Sequence, residues 1–259
     1  MTKRRLVPAL LASSAALIMT GAQAMPAAAA GAAFADVGTC SRVGVELRYT
    51  AAPGVDNDVL VRRVGPFIVV SDGAGEVVPG NCTNFGDDAR VNAGGIRRVR
   101  VLTLDGDDTV RITIGAAAIL RGGAGEDELR GGPGDDDIRG GAGNDDLRGG
   151  AGVDQIRGEG DNDEIRGGDG DDDLLGGNGD DDVRGEGGND EVAGNAGNDE
   201  LFGGIGDDAI NGGAGDDEML GGPGNDQING GQGTDTLNGG AGADDCNGGP
   251  GPETVTNCE

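Results

Sequence analysis

A nine-residue repeat fills residues 122–256 without insertion or deletion. The first units are "GGAGEDELR", "GGPGDDDIR" and "GGAGNDDLR", and fifteen units follow one another. The eighth position is apolar in every unit, and the sixth is Asp in fourteen units and Glu253 in the last. Because a unit this short buries nothing by itself, the strict phase predicts units that stack into a solenoid.

Each unit has a glycine-rich half and a strand-like half. Glycine adopts positive φ without strain and lets backbones approach closely, so "GGxGx" predicts a turn. The remaining residues are too few for a helix, and their single apolar side chain suits a short strand with one inward-facing residue. These inward residues are expected to form a ladder: Leu129, Ile138, Leu147, Ile156, Ile165, Leu174, Val183, Val192, Leu201, Ile210, Met219, Ile228, Leu237, Cys246 and Val255.

This ladder cannot stabilise a fold alone. One buried Leu or Ile contributes about 1.5–3 kcal/mol, which is less than the conformational entropy lost by nine ordered residues. Residues 122–256 also carry 35 acidic and 6 basic residues, a net charge of −29 that accounts for nearly all of the −28 of the whole chain. Bringing these carboxylates together is repulsive unless positive charge is supplied.

A bound hard cation would supply both charge and binding energy. Calcium takes six to eight oxygen ligands from carboxylates and carbonyls, and the repeat offers an Asp side chain and exposed turn carbonyls. Magnesium fits less well because it demands tight octahedral geometry and keeps its waters. Zinc prefers His or Cys, whereas the chain has no His and the repeat has only Cys246.

At these residues the sequence resembles the RTX calcium-binding nonapeptide, GGxGxDxUx, where U is a large apolar residue. The resemblance implies an all-β fold: a right-handed parallel β-roll of about fifteen units, two to a turn, preceded by a small β-rich cap segment. It also implies about thirteen calcium ions between successive turns. The sixth-position residues would be the ligands: Asp127, Asp136, Asp145, Asp154, Asp163, Asp172, Asp181, Asp190, Asp199, Asp208, Asp217, Asp226, Asp235 and Asp244.

Several units depart from this pattern. Asp161 replaces the fourth glycine of its unit, and Glu186 and Asn195 replace the second glycine of theirs, so these turns are expected to bind calcium less well. The last unit, with Glu253 and Pro252, is interpreted as a terminal cap. Arginines at the ninth position are expected on the outer surface, as solvated charges rather than a binding stripe: Arg130, Arg139, Arg148, Arg157, Arg166 and Arg184.

Residues 1–35 have the pattern of an export signal, with three basic residues before an apolar run and small residues after it. Cleavage is expected after Ala24 or after Ala35. A membrane anchor and a lipid-modified Cys40 are the alternatives that we disfavour. Removal of the signal would make the protein extracellular, where disulfides persist. The simplest pairing of the four cysteines is Cys40–Cys82 and Cys246–Cys258, and free thiols are the alternative.

Residues 36–121 have 10 basic and 11 acidic residues and far fewer glycine pairs. Strands are predicted at 42–50, in "VLVRRV", in "PFIVVSD" and within 96–114. The stretch "LDGDDTV" is a degenerate turn, one residue out of phase with the repeat. The predicted organisation is therefore a signal at 1–35, a β-rich segment at 36–121, the roll at 122–256 and a tail at 257–259.

No catalytic motif is present in the chain. Absence of His excludes Ser-His-Asp and Cys-His sites and HExxH proteases. The acidic balance argues against nucleic acid, and no membrane span is expected in the mature form. We therefore expect a secreted, non-enzymatic calcium-binding protein, with a cell-surface or matrix polymer as a candidate partner. The alternative is an enzyme or toxin-like effector with its activity in 36–121, where carboxylate pairs could arise from Asp56, Asp58, Asp72, Asp87 and Asp88.

Overall fold

The computed structural model describes residues 39–43, 46–51, 53–72, 78–79, 83–85, 88–92 and 95–259. Regular structure in these residues consists of twenty-five β-strands, without a helix. The strands form two sheets that share one hydrophobic core. The expected parallel β-roll is therefore confirmed.

Sheet A has twelve strands. In chain order they are β1 (Thr39–Val43), β2 (Glu46–Thr50), β5 (Val78–Pro79), β8 (Arg98–Asp105), β10 (Ala117–Ala124), β12 (Asp137–Ala142), β14 (Gln155–Gly160), β16 (Asp173–Asn178), β18 (Glu191–Ala196), β20 (Ala209–Ala214), β22 (Gln227–Gln232) and β24 (Asp245–Asn247).

Sheet B has thirteen strands. They are β3 (Asp58–Val64), β4 (Phe67–Asp72), β6 (Thr83–Phe85), β7 (Asp88–Asn92), β9 (Thr109–Ile112), β11 (Glu128–Pro133), β13 (Asp146–Ala151), β15 (Glu164–Asp169), β17 (Asp182–Gly187), β19 (Glu200–Ile205), β21 (Glu218–Pro223), β23 (Thr236–Ala241) and β25 (Thr254–Thr256).

Consecutive nonapeptides alternate between the two sheets, so one turn of the roll contains two units. Leu129 pairs with Leu147 in sheet B, and Ile138 pairs with Ile156 in sheet A. The eighth-position side chains are buried from Leu129 to Leu237. The ladder ends there, because Cys246 is only partly buried and Val255 is 47% exposed at the last turn.

The chain enters the roll before residue 122. β2 and β8 pair in parallel and continue into β10, while β3 and β9 continue into β11. Val110 pairs with Leu129, nineteen residues later, whereas pairing inside the repeat spans eighteen. This offset is the one-residue phase shift expected for "LDGDDTV".

One strand prediction was wrong. Instead of a single strand at 42–50, β1 ends at Val43 and pairs antiparallel with β2, which begins at Glu46. Apolar residues alternate on both sides of Gly44, so the sequence reads as one strand. Glycine is, however, common between the two strands of a hairpin. β3 and β4 also pair antiparallel, and they coincide with the predicted "VLVRRV" and "PFIVVSD" strands.

A disulfide joins the two sheets at the C-terminal end. Cys246 lies in β24, and Cys258 follows β25, with their Cα atoms 5.8 Å apart. The predicted Cys246–Cys258 pairing is therefore confirmed. Cys40–Cys82 and the export signal lie outside the part of the chain whose side chains the structure describes.

The repeat arginines lie half-buried on the outer faces of the sheets, as expected. Each is close to an acidic residue of its own or a neighbouring strand: Arg184 Nη2 lies 2.8 Å from Asp182 Oδ2, and Arg148 Nη2 lies 2.9 Å from Asp146 Oδ2. Arg184 also covers the Phe202 ring at 4.6 Å. Exposed ion pairs contribute little to stability, so these arginine pairs are expected to add little to the stability of the roll.

The ladder gives a first prediction. Leu147→Ala, at a fully buried rung, should destabilise the folded protein by about 2–5 kcal/mol because it leaves a cavity. Val153→Ala is the matched control, since Val153 is 57% exposed, and it should change stability by less than about 0.5 kcal/mol. Urea unfolding in calcium-containing buffer measures both, and equal effects would contradict the buried ladder.

Candidate metal sites

Two columns of aspartates run along the edges where the chain passes between the sheets. The B column precedes the strands of sheet B and contains Asp127, Asp145, Asp163, Asp181, Asp199, Asp217 and Asp235. The A column precedes the strands of sheet A and contains Asp136, Asp154, Asp172, Asp190, Asp208, Asp226 and Asp244. These are the fourteen ligands that the repeat predicted, and each is at most 3% exposed.

One carboxylate oxygen of each aspartate is used to hold the turns together. The backbone N–H of Asp127 donates to Asp145 Oδ1 at 2.8 Å, and the N–H of Asp145 donates to Asp163 Oδ1 at 2.9 Å. The same bond repeats along the A column, for example from Asp136 to Asp154. The sixth position thus fixes the spacing of successive turns, about 4.8 Å.

The other carboxylate oxygen has no hydrogen-bond donor. This holds for Oδ2 of thirteen of the fourteen residues, which are Asp127, Asp136, Asp145, Asp154, Asp163, Asp172, Asp181, Asp190, Asp199, Asp208, Asp217, Asp226 and Asp235. A buried polar atom without a partner is costly and is rare in folded proteins. Thirteen such atoms in two regular rows indicate a missing positive partner.

The first glycine of each unit lies directly against this oxygen and a carbonyl of the next turn, so a side chain there would collide with both. A Cβ on Gly122 would lie 2.8 Å from the Gly140 carbonyl oxygen and still closer to Asp127 Oδ2. A Cβ on Gly149 would likewise meet Asp154 Oδ2 and, at 2.7 Å, the Gly167 carbonyl oxygen. We call this place, where the first glycine, the Oδ2 atom and a carbonyl of the next turn meet, the cradle.

Burial raises the pKa of these carboxyls because it removes water from the charged form. It raises the pKa of Asp136 and of Asp163 to about 8, and that of Asp127 to about 7. The neighbouring carboxylates of the same column add repulsion, while the backbone N–H bonds oppose the shift. Unless a cation binds, ionised columns at neutral pH therefore work against the fold.

The donors in the cradle fit calcium. They are a carboxylate oxygen and a backbone carbonyl, both hard oxygen ligands, and the adjoining glycine turns leave further carbonyls available. Among the described residues no group of three or more His, Cys, Asp or Glu side chains converges on one point. A site here would therefore take one carboxylate from a turn and its remaining ligands from the backbone.

The departures from the repeat leave the strand register unchanged. Asp161, Glu186 and Asn195 adopt positive φ, of 70°, 77° and 80°. Glu159, which sequence reasoning overlooked, has a φ of 84°. These positions need the left-handed conformation for which glycine is best suited, so non-glycine residues there cost conformational energy without breaking the sheets.

A second ladder was missed by sequence reasoning. The side-chain oxygen of an exposed fifth-position residue accepts the backbone N–H of the fifth-position residue in the next turn, eighteen residues later. Asn162 Oδ1 accepts from Asp180 at 3.0 Å, and Asp180 Oδ1 accepts from Asn198 at 2.7 Å. The available signal was that ten of the fifteen units have Asp or Asn there. These residues fasten the turns on the outside of the cradles.

Of the N-terminal aspartates considered as a catalytic pair, only Asp56 and Asp58 have described side chains, and both are exposed. Asp56 accepts the N–H of Asp107 at 3.1 Å, as a turn residue does. Asp58 is exposed at the start of β3. Asp87 and the side chains of Asp72 and Asp88 lie outside the described residues.

A two-sheet parallel β-roll with rows of buried carboxylates facing carbonyl-lined cradles defines a cation-binding repeat protein. The RTX calcium-binding nonapeptide repeat family matches this chain in four copies, at residues 115–147, 148–183, 184–219 and 220–252. Because the matches span more than half of the 259 residues, the chain belongs to this family. A comparison with curated proteins gives no match.

The raised pKa values predict how stability without calcium depends on pH. The ordinary value for Asp is 3.8, and in the fold Asp145 titrates at about 6 and Asp163 at about 8. Between about pH 4 and about pH 8 the folded state therefore binds more protons than the unfolded state, and its stability falls as the pH rises through this range. In calcium-free buffer, the β-sheet circular dichroism signal and the urea midpoint should be greater at pH 5 than at pH 8.

Saturating calcium should reverse this trend, because protons then compete with the ion for the same carboxylates. A calcium-free protein that gains stability between pH 5 and pH 8 would contradict the picture of buried, uncompensated columns.

The cradle can be tested within one unit. A Cβ on Gly158 would lie 2.6 Å from the Gly176 carbonyl oxygen and would overlap Asp163 Oδ2, whereas a Cβ on Gly160 would meet its nearest atom at 3.7 Å. Gly158→Ala should lower the number of bound calcium ions and destabilise the roll by about 1–3 kcal/mol. Gly160→Ala should bind calcium as the parent does, as measured by isothermal titration calorimetry. Equal loss in both variants would argue against the cradle.

Proposed function

We propose that this chain is a secreted, non-enzymatic calcium-binding protein whose folding is driven by calcium held between successive glycine turns. The observation that carries the proposal is the pair of aspartate columns with partnerless, buried Oδ2 atoms. Such sites do not exist in the unfolded chain, so the free energy of calcium binding becomes free energy of folding. About thirteen ions would bring about 26 positive charges to the repeat and nearly cancel its −29.

Secretion is supported by the sequence of residues 1–35 and by the disulfide between Cys246 and Cys258. No helix among the described residues is long and apolar enough to cross a membrane. Outside a cell, calcium is abundant enough to fill sites with dissociation constants of about 10⁻⁴–10⁻³ M, as in other extracellular modules. The chain would then be unfolded before export and fold where calcium is available.

The biological role we propose is that of a structural surface or matrix module. Calcium-filled turns give a rigid rod with two outer faces of exposed side chains, and a cell-surface or matrix polymer is the partner class we propose. Activity as an enzyme has less support, because the chain has no His, no nucleophile elbow and no phosphate-binding loop.

The proposal predicts that one substitution has opposite effects on folding in the presence and in the absence of calcium. Asp163→Asn removes one buried charge and keeps the side-chain shape. With calcium present, it should bind about one ion fewer and raise the calcium concentration needed for folding, because it removes a charged ligand. Without calcium at pH 8, it should instead stabilise the chain, because one repulsive buried charge is gone.

Asp171→Asn is the matched control, since Asp171 is exposed and accepts the N–H of Asn189 through an oxygen that Asn retains. It should leave calcium binding unchanged. Circular dichroism during calcium and magnesium titrations measures folding, and magnesium should fail to induce the β-sheet spectrum at concentrations where calcium succeeds. An unchanged β-sheet spectrum in chelator would overturn the proposal.

A further inference from the structure

The aspartate columns have different upstream ends. The B column continues to Asp108, which is 1% exposed and lies before the family match. Its N–H donates to Asp127 Oδ1 at 2.9 Å, the bond that links every later pair of turns. Asp108 is therefore the sixth residue of an earlier, degenerate unit, residues 103–111.

In this earlier unit the cradle is filled by the protein. Arg121 pairs with Leu102 and Gly123 with Leu104, so Thr103 takes the position that Gly122 has in the next turn of the roll. The Thr103 hydroxyl donates to the carbonyl oxygens of Gly122, at 3.0 Å, and Arg121, at 3.1 Å. The side chain thus stands where the later units have only glycine, and its hydroxyl contacts the carbonyl that a cation would use.

Asp108 also has protein donors of its own. Asn57 gives its backbone N–H at 2.6 Å and its side-chain Nδ2 at 2.8 Å, both to Asp108 Oδ1. The Nδ2 group donates to the Val55 carbonyl as well, which orients the amide. Asp108 Oδ2 has no hydrogen-bond donor, as in the later aspartates of the column. Neutral donors of Asn57 therefore satisfy one oxygen of this carboxylate, Oδ1, and Thr103 stands beside it in place of a glycine.

The A column lacks a carboxylate altogether at this end. Ala118 gives its N–H to Asp136 Oδ1 at 2.6 Å, so it occupies the place of the preceding aspartate. Arg111 pairs with Arg130. The residue after Arg130 is the first glycine of its unit, whereas the residue after Arg111 is the buried Ile112. This turn has neither ligand nor cradle on the A side.

These first turns have a larger apolar core than the repeat. Each strand places two buried apolar side chains inside, whereas a nonapeptide places one. The pairs are Leu47 and Tyr49 in β2, Val59 and Val61 in β3, Val99 and Val101 in β8, Val110 and Ile112 in β9, and Ala118 and Leu120 in β10. Residues 36–121 are also nearly neutral, with 10 basic and 11 acidic residues, so they lack the repulsion of the repeat.

We propose that strands β2, β3, β8, β9 and β10 fold without calcium, with Thr103 and Ala118 closing the two ion columns, and that they form the template on which the calcium-dependent turns stack. The inference rests on the proposed function, because it presumes that calcium folds the repeat. The template supplies paired strands β9 and β10, to which β11 and β12 add in register. Nucleation, the costly step for a solenoid, would then be complete before calcium is met.

Hydrogen–deuterium exchange of the whole chain, with calcium and in chelator, separates the two ideas. We expect peptides from β2, β3, β8, β9 and β10 to stay protected in chelator, while peptides from 122–256 exchange fully. If both regions lose protection together in chelator, the template is wrong and the proposed function stands. If 122–256 stays protected in chelator, calcium does not fold the repeat, and both proposals fall.

A variant tests Thr103 directly. Thr103→Gly restores the consensus residue and opens a cradle beside Asp108, so the chain should bind one more calcium ion than the parent by native mass spectrometry. Thr109→Gly is the control, because this substitution makes the same chemical change on the outer side of the neighbouring strand β9. It should leave the ion count unchanged. An ion count for Thr103→Gly equal to that of the parent would overturn the assignment of Thr103 as the group that closes the column.

Discussion

Stacked, buried carboxylates are the constraint on which the roll depends. The backbone bond from one Asp to the next fixes the turns at strand spacing, and it thereby holds like charges about 4.8 Å apart. The apolar ladder of one residue per unit is too thin to overcome this repulsion. Positive charge has to enter the structure, and the cradles lie beside the buried carboxylate oxygens that need it.

The same constraint explains why the first glycine of each unit is invariant from Gly122 to Gly248. Any side chain there would fill the cradle and touch the carboxylate, as the Gly158 geometry shows. The second glycine has a different task, because it serves the left-handed turn and tolerates Glu159, Glu186 and Asn195 at a conformational cost. The glycines of one motif therefore carry distinct requirements, one of space and one of backbone angle.

Much of the architecture could be predicted from the sequence because the repeat fixes the phase of every unit. The inward ladder and the two regular rows of sixth-position aspartates follow from position in a nine-residue frame. The Cys246–Cys258 bond was expected as the simplest local pairing. The fifth-position hydrogen bonds could not be predicted, since they join residues eighteen apart that read as ordinary surface Asp and Asn. The division of 42–50 into two strands could not be predicted either, because the alternation of apolar residues continues across Gly44. The alignment of Thr103 with Gly122 was hidden because a one-residue insertion separates their repeat frames.

The C-terminal end of the roll has a consequence for assembly. A solenoid whose last coil is open presents unpaired backbone groups to which another chain can add strands. Here β24 and β25 are three residues long, Pro250 and Pro252 lie between them, and the bond from Cys246 to Cys258 ties one sheet to the other. The disulfide therefore holds the last strands of the two sheets together, and strands this short beside proline are poor templates for pairing with a second molecule.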